Sequence, residues 1–230
     1  DKNIQKILRK TNPAIAENVL QFSTKQKEAK QLRKMLKIPG EYNVSNALAA
    51  LGVARILKIP DAVSFKALSQ YKGSWRRFEI FDLKIKNSKL KIVSDYGHHP
   101  TEVKVTVEAA REKWPKETLW IVFQPHQYQR TYYLWNDFVK VLSRLPVDKL
   151  IITDIYDVAG REETSIKKKV SSEKLADKVG ALYIPTIQQA EQYIKKNIKG
   201  GEILMVMGAG DIYNLTLQLT RGLAKRKIQV

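Results

Sequence analysis

Ile92-Val93-Ser94-Asp95-Tyr96-Gly97-His98-His99-Pro100 is the stretch whose reading decides the fold. An apolar run stops at a polar cluster that holds two of the chain's three histidines, and it reads as a strand that ends in an active-site loop. The residues from Pro100 onward carry the marks of a helix N-terminus. Pro100 stands where a missing N–H costs nothing, and the acidic Glu102 falls in the first turn.

The same unit of strand, polar loop and helix recurs towards the C-terminus. Thr118 to Gln124 reads as a strand, Pro125 to Thr131 as its loop and Tyr132 to Arg144 as its helix. Lys149 to Ile155 is the next strand, with a loop over Tyr156 to Glu163 and a helix over Ser172 to Val179. A short strand at Ala181 to Ile184 precedes a helix ending near Lys196, and Glu202 to Met207 turns through Gly208-Ala209-Gly210-Asp211 into a closing helix, Ile212 to Arg226. Upstream, Ile80, Asp82 and Lys84 alternate as a strand does. Strands that alternate with helices need right-handed crossover connections, which predicts an α/β fold: a Rossmann-like, mostly parallel sheet with helices on both faces. Unbroken apolar runs such as Leu150-Ile151-Ile152 fit strands buried on both sides. Ligands of such sheets sit beyond the carboxyl ends of the strands.

The part before Trp75 reads differently. The first 35 residues are polar, lysine-rich and weakly periodic, like the cut end of something larger. After Pro39-Gly40 an alanine-rich helix opens at Tyr42 and runs to about Leu57, with Asn43 in reach of capping it and Asn46 one turn in on nearly the same face. A second helix covers Ala62 to Gln70 and ends before Gly73. A boundary at Trp75 separates 1–75 from 76–230.

Composition sets limits. The 230 residues contain no cysteine, which excludes disulfides, thiolate metal sites and a cysteine nucleophile. No run approaches the roughly 18 apolar residues of a membrane span, so a soluble cytoplasmic protein with no membrane partner is expected. With 41 Lys plus Arg against 23 Asp plus Glu, the net charge is +18. That balance suits phosphorylated ligands or a polyanion, but the lysines are scattered without interleaved aromatics, so a nucleic-acid partner is not expected.

Every histidine, His98, His99 and His126, falls in a loop that comes after a predicted strand, together with Asp95, Tyr96, Arg130, Tyr156 and Asp211. The helices after Pro100, Arg130 and Gly210 point their N-termini at that same crevice, and Arg130 adds a fork for a carboxylate or phosphate, so the ligand is expected to be an anion. Arg76-Arg77 beside Trp75 and Phe78 reads either as a surface stack or as a phosphate clamp. Gly208-Ala209-Gly210 lacks the third glycine of a dinucleotide fingerprint. No Gly-x-x-x-x-Gly-Lys-Ser/Thr loop, His-Glu-x-x-His or Gly-x-Ser-x-Gly occurs.

Taken together and in order, Asn43 with Asn46, Arg76-Arg77-Phe78, Asp95-Tyr96-Gly97-His98-His99-Pro100-Thr101-Glu102, Phe123-Gln124-Pro125-His126 with Arg130-Thr131, and Gly208-Ala209-Gly210-Asp211 resemble the Mur ligases. The likeness spans about Leu36 to Val230. It implies the whole C-terminal Rossmann-like domain of such a ligase at 76–230, preceded at 1–75 by a helical remnant of the central ATPase domain. The resemblance implies ATP and Mg2+ as cofactors, with the main metal ligands and the phosphate loop in the missing N-terminal and central domains, and an acyl phosphate as intermediate. The branch most resembled joins L-alanine to UDP-N-acetylmuramate in peptidoglycan synthesis, and this chain alone is then expected to be inactive. A family member for a different amino acid, a basic nucleic-acid-binding module and a nicotinamide-dependent oxidoreductase stand as alternatives. By motif, the resemblance gives Asn43, Asn46, Arg77 and Asp95 to the nucleotide. It gives Tyr96, His98, His99, His126, Arg130, Gly210 and Asp211 to the substrates, and Arg77, Asp95 and His98 to the chemistry, with no metal ligand. Gln127 stands where the family usually has arginine, Tyr42 where histidine is common, and Ser94 where an acid is frequent.

Overall fold

The structure, a computed structural model, describes residues 20–85, 88–158, 160 and 163–224. The polar reading of the first residues therefore lies outside the described part up to residue 19, as does the predicted end of the closing helix at Arg226. The chain divides into two compact units, one of residues 1–37 and 41–71, the other of residues 38–40 and 72–230.

The described part of the first unit is helical. α1 spans Lys27–Met35, α2 Glu41–Ile56 and α3 Asp61–Gln70. Ala29 and Leu32 of α1 close on Val44, Ala47 and Leu48 of α2, with Phe65 and Leu68 of α3 packed against them. Arg55 ties the three helices at their surface, bonding Glu28 at 2.9 Å and Asp61 at 2.7 Å. α2 begins at Glu41, so Asn43 lies inside the helix and does not cap it, against the sequence expectation. The alanine-rich pattern located the helix but not its first turn.

The second unit is the expected sheet. β1 (Glu79–Ile85), β2 (Ser88–Asp95), β3 (Leu119–Phe123), β4 (Lys149–Ile152), β5 (Leu182–Tyr183) and β6 (Ile203–Met207) lie in the order β1-β2-β6-β3-β4-β5. Among the described strands only β1 is antiparallel to its neighbour. The helices are α4 (Pro100–Lys113), α5 (Tyr128–Tyr133), α6 (Trp135–Leu142), α7 (Thr164–Lys167), α8 (Ser172–Val179), α9 (Ile187–Asn197) and α10 (Tyr213–Ala224).

Side-chain alternation sorts the sheet residues to two cores. Leu90, Ile92, Trp120, Val122, Leu204 and Val206 meet Ile187, Ala190 and Ile194 of α9 and Leu215 and Leu219 of α10. The alternate position Phe123 meets Phe138 of α6, with ring centroids 5.9 Å apart. All five residues of β3 and all five of β6 are buried, as strands covered on both faces must be.

Register aligns the ends that matter. Asp95 pairs with Met207, Met207 with Phe123 and Phe123 with Ile152, so the residues beyond them leave the sheet side by side. Two readings change here. The helix predicted over Tyr132 to Arg144 is two short helices broken at Leu134, and α5 starts earlier than predicted, at Tyr128, after Gln127 at φ 72°. β4 stops at Ile152 because the chain beyond it pairs irregularly, Asp154 N–H donating to the Pro185 carbonyl at 3.0 Å. Among the described residues no helix is long and apolar enough to cross a membrane.

Phe123 is fully buried between these layers. Phe123→Ala is expected to cost about 3–5 kcal/mol in denaturant unfolding, whereas Glu108→Ala on the exposed face of α4 should stay within about 0.5 kcal/mol.

Candidate functional site

The loop after β2 is built by a carboxylate that never reaches the solvent. Asp95, 4% exposed, accepts from the Phe78 amide at 2.9 Å with one oxygen and from the Gly97 amide at 2.8 Å with the other. Burial raises its pKa, and the two amide bonds oppose that rise. Asp95 thus fastens the lead into β1 to the loop, and it faces inward, not towards a ligand as the sequence suggested. Gly97 is needed in that turn, since a Cβ there would fall 2.8 Å from the Asp95 carboxylate.

Glu102 then closes the start of α4. One of its oxygens accepts from the amides of His98 at 3.0 Å and His99 at 3.1 Å, while the His99 ring Nδ1 accepts from the Thr101 amide at 3.2 Å. This capping box overturns one expectation: the N-terminus after Pro100 offers no free amides to an anion, because Glu102 is the anion it holds. Burial works to raise the Glu102 pKa, and the two amide bonds outweigh it, so the net shift is downward. His99 serves the helix start. His98 is left to face the site, its Nδ1 3.0 Å from the Tyr96 carbonyl and its ring edge-on to Tyr96 at 5.5 Å.

The loops after β3 and β4 are zipped together. Tyr156 donates its amide to the Pro125 carbonyl at 2.8 Å and accepts from the Gln127 amide at 3.0 Å, which makes a parallel bridge between His126 and Tyr156. The bridge stacks the His126 ring on Tyr156, with planes 13° apart and centroids at 5.4 Å, and brings it within 5.4 Å of His98. Arg130 lies in α5, not in the loop as predicted, and its Nη1 reaches His126 Nδ1 at 3.2 Å and the His126 carbonyl at 3.3 Å.

The turn after β6 needs its glycines. Gly208 has φ +146°, and a Cβ on it would sit 2.8 Å from the Gln124 carbonyl; one on Gly210 would lie 2.4 Å from the Tyr156 ring. Buried Gln124 spans the crevice, donating to Asp211 at 2.8 Å and accepting from the Ile212 amide at 3.1 Å. The amides of Asn214 and Leu215 bond the carbonyls of Asp211 and Ile212. The Ile212, Asn214 and Leu215 amides at the start of α10 are thus taken up within the fold.

The two arginines part company. Arg76 is buried, bonds the Gly208 carbonyl and, at 3.2 Å, the Gly210 carbonyl, and lies over the Trp75, Tyr96 and Tyr213 rings. It is structural. Arg77 is exposed, 5.2 Å over the Tyr96 ring, with its charge near Asp95, His98 and Glu102.

These contacts set the histidine states. Burial lowers the His98 pKa, partly opposed by the Tyr96 carbonyl and reinforced by Arg130. Burial also lowers His126, with the charges of His98, Arg130 and Arg76 adding to it, to about 4. Both rings are neutral at pH 7. The Tyr96 carbonyl takes the Nδ1 proton of His98 and leaves its Nε2 a base, whereas Arg130 donates to His126 Nδ1 and leaves its Nε2 the protonated nitrogen.

Fold and site together define the class of protein. The model of the family described as Mur ligase, glutamate ligase domain, matches residues 76–210, and the chain belongs to the Mur ligase family. It is similar to the UDP-N-acetylmuramate–L-alanine ligase of Methylococcus capsulatus, 36% identical over 213 residues that make up 90% of this chain and 44% of the relative. The enzyme of that name from Aquifex aeolicus is 39% identical over 210 residues, 91% of this chain and 44% of the relative. The crystal structure of UDP-N-acetylmuramate-alanine ligase from Thermotoga maritima superposes with a TM-score of 0.63 at 27% identity, covering 84% of this chain and 39% of that one. The chain spans less than half the length of the curated relatives it matches.

Of the residues singled out in the sequence, Tyr96, His98, His126, Arg130, Arg77, Gly210 and Asp211 gather at one edge of the sheet. Asn43 and Asn46 stand on α2 of the other unit, Asn46 exposed. Sequence reasoning missed Gln124 and Glu102 as the groups that satisfy the helix starts. It placed Tyr156 beside the histidines at the same edge but gave it no role. The spacing of Glu102 three residues after His99 is a capping-box signal that could have been read.

Because both imidazoles titrate below 6.5 in the folded state, the unfolded chain binds protons that the native one refuses. Their contribution to stability is full above pH 6.5 and is lost as the pH falls below it, for His126 towards about 4. An imidazole NMR titration should place His126 near pH 4, and His126→Asn should flatten the acid limb of the stability curve; a midpoint near 6.5 would contradict the burial argument. Gly208→Ala is expected to destabilise by roughly 1–3 kcal/mol in the same unfolding assay.

Proposed function

We propose that this chain is the C-terminal part of an ATP-dependent ligase that joins L-alanine to UDP-N-acetylmuramate, with residues 76–230 as its C-terminal domain and the helices before them as the tail of its central domain. The observation that carries the reading is the neutral His98–His126 pair set beside Arg130 and Arg77 at the carboxyl edge of the sheet. A carboxylate activated as an acyl phosphate is attacked by an amine; the carbon–nitrogen bond forms, phosphate leaves and the amine gives up a proton. The site supplies what that step requires. His98 Nε2 is an unprotonated acceptor for the proton, the Arg130 fork holds the carboxylate of the incoming amino acid, and His126 Nε2–H donates to charge developing on oxygen.

Arg77, exposed on the Asp95-anchored strand lead, is assigned to the nucleotide phosphates. Asn43 and Asn46 are assigned to the nucleobase. Asp95 acts through position, fixing Arg77 and the Tyr96–His98 loop, and Asp211 with Gly210 shapes the far wall. The magnesium of an ATP reaction is assigned to the central domain of such a ligase, as the likeness to the family implies.

The chain alone is expected to release no phosphate from ATP with UDP-N-acetylmuramate and L-alanine. In the ligase that carries it, Arg130→Ala should lower kcat/KM for the amino acid about ten- to hundredfold, the roughly 1.5–3 kcal/mol of a hydrogen bond to a charged group. Ligation by the isolated chain, or an Arg130→Ala enzyme with unchanged kcat/KM, would sink the reading.

A further inference from the structure

Tyr156 belongs to two places at once. One face of its ring stacks on His126, and Gly210 is pressed so close that a Cβ there would meet ring carbons at 2.4 and 2.6 Å. Both its backbone groups are bonded to the β3 loop, so the residue is anchored where its ring meets His126 and Gly210. The same residue lines a cavity of about 530 Å³ that none of Tyr96, His98, His126 and Arg130 reaches. That volume lies within the range of small-molecule pockets, roughly 300–1,000 Å³. Among the described residues its charged lining is Asp154, Asp157 and Asp211 against Arg221, in a chain whose net charge is +18. Tyr183 bonds Asp154, Lys167 pairs with Asp157 and Gln124 donates to Asp211, and each carboxylate keeps lone pairs for a further donor.

Resting on the reading that the amine substrate binds between His98, His126 and Arg130, we propose that Tyr156 is a specificity-determining wall: it confines the amino acid to a small side chain and seals off an acidic cavity that would otherwise receive a longer, cationic one. The restriction is steric at the ring and electrostatic behind it. Removing the ring joins the two spaces, and the carboxylates then favour an ammonium over a second carboxylate.

The test is NMR of the His98 and His126 imidazoles in this chain, titrated with L-alanine, L-lysine and L-glutamate. In the native chain L-alanine should bind at least tenfold tighter than L-lysine. Tyr156→Ala should raise L-lysine affinity at least tenfold without a gain for L-glutamate, and Tyr156→Phe, which keeps the wall, should behave as the native chain does. Thermal melts check folding, and Tyr156→Leu replaces the alanine variant if that one unfolds. Equal binding of L-lysine and L-alanine by the native chain, or no gain in either opened variant, overturns the wall while leaving the ligase reading in place. Absence of any L-alanine response in every protein removes the amine site itself, and the wall with it.

Discussion

Two buried charges that bond backbone rather than each other hold the working edge of this domain together. Asp95 grips the Phe78 and Gly97 amides, and Arg76 grips the Gly208 and Gly210 carbonyls. Between them they join the lead into β1, the loop after β2 and the turn after β6, three segments far apart in sequence. A buried ion is costly unless its hydrogen-bonding capacity is used, and here the ligands are backbone groups that would otherwise need water. Among the described residues the Arg76 Nε finds no partner, a local imperfection at the point where the guanidinium is sandwiched by aromatic rings.

That scaffold makes the histidine pair possible. Tyr96 N–H donates to the Arg76 carbonyl at 2.7 Å, so the loop carrying His98 hangs from the buried arginine. On the other side, Gln124 and the His126–Tyr156 bridge fix the β3 and β4 loops against the turn after β6. Two imidazoles 5.4 Å apart beside a guanidinium would repel if charged. Burial and that repulsion together keep them neutral, which is the state a proton acceptor needs. The electrostatics of the site are thus a consequence of packing, with no unusual residue required.

Most of the fold was legible because its signal is local. Apolar runs ending in polar clusters located β3 and β6 to within one residue, and Ser171 and Gly180 bracket α8 at the ends predicted for it. The features that escaped have their cause elsewhere in the chain. α5 has a single buried residue, Thr131, and starts from a backbone twist at Gln127 that only the bridge to Tyr156 explains. The site divides in the same way: the residue types at the strand ends were readable, but their separation into ligand-facing and structural was not.

By itself the sequence determined the strand–loop–helix order, the parallel sheet and the placing of all three histidines beyond strand ends, because alternation and turn chemistry act over a few residues. Tertiary structure alone decided that Arg76 turns inward and Arg77 outward, that Gln124 takes the Ile212 amide at the start of α10, and that Tyr156 stands between the histidines and an acidic cavity. Those outcomes depend on which groups reach each other across the sheet edge, and a buried hydrogen bond or ring contact is chosen by that geometry and not by the neighbours in the chain.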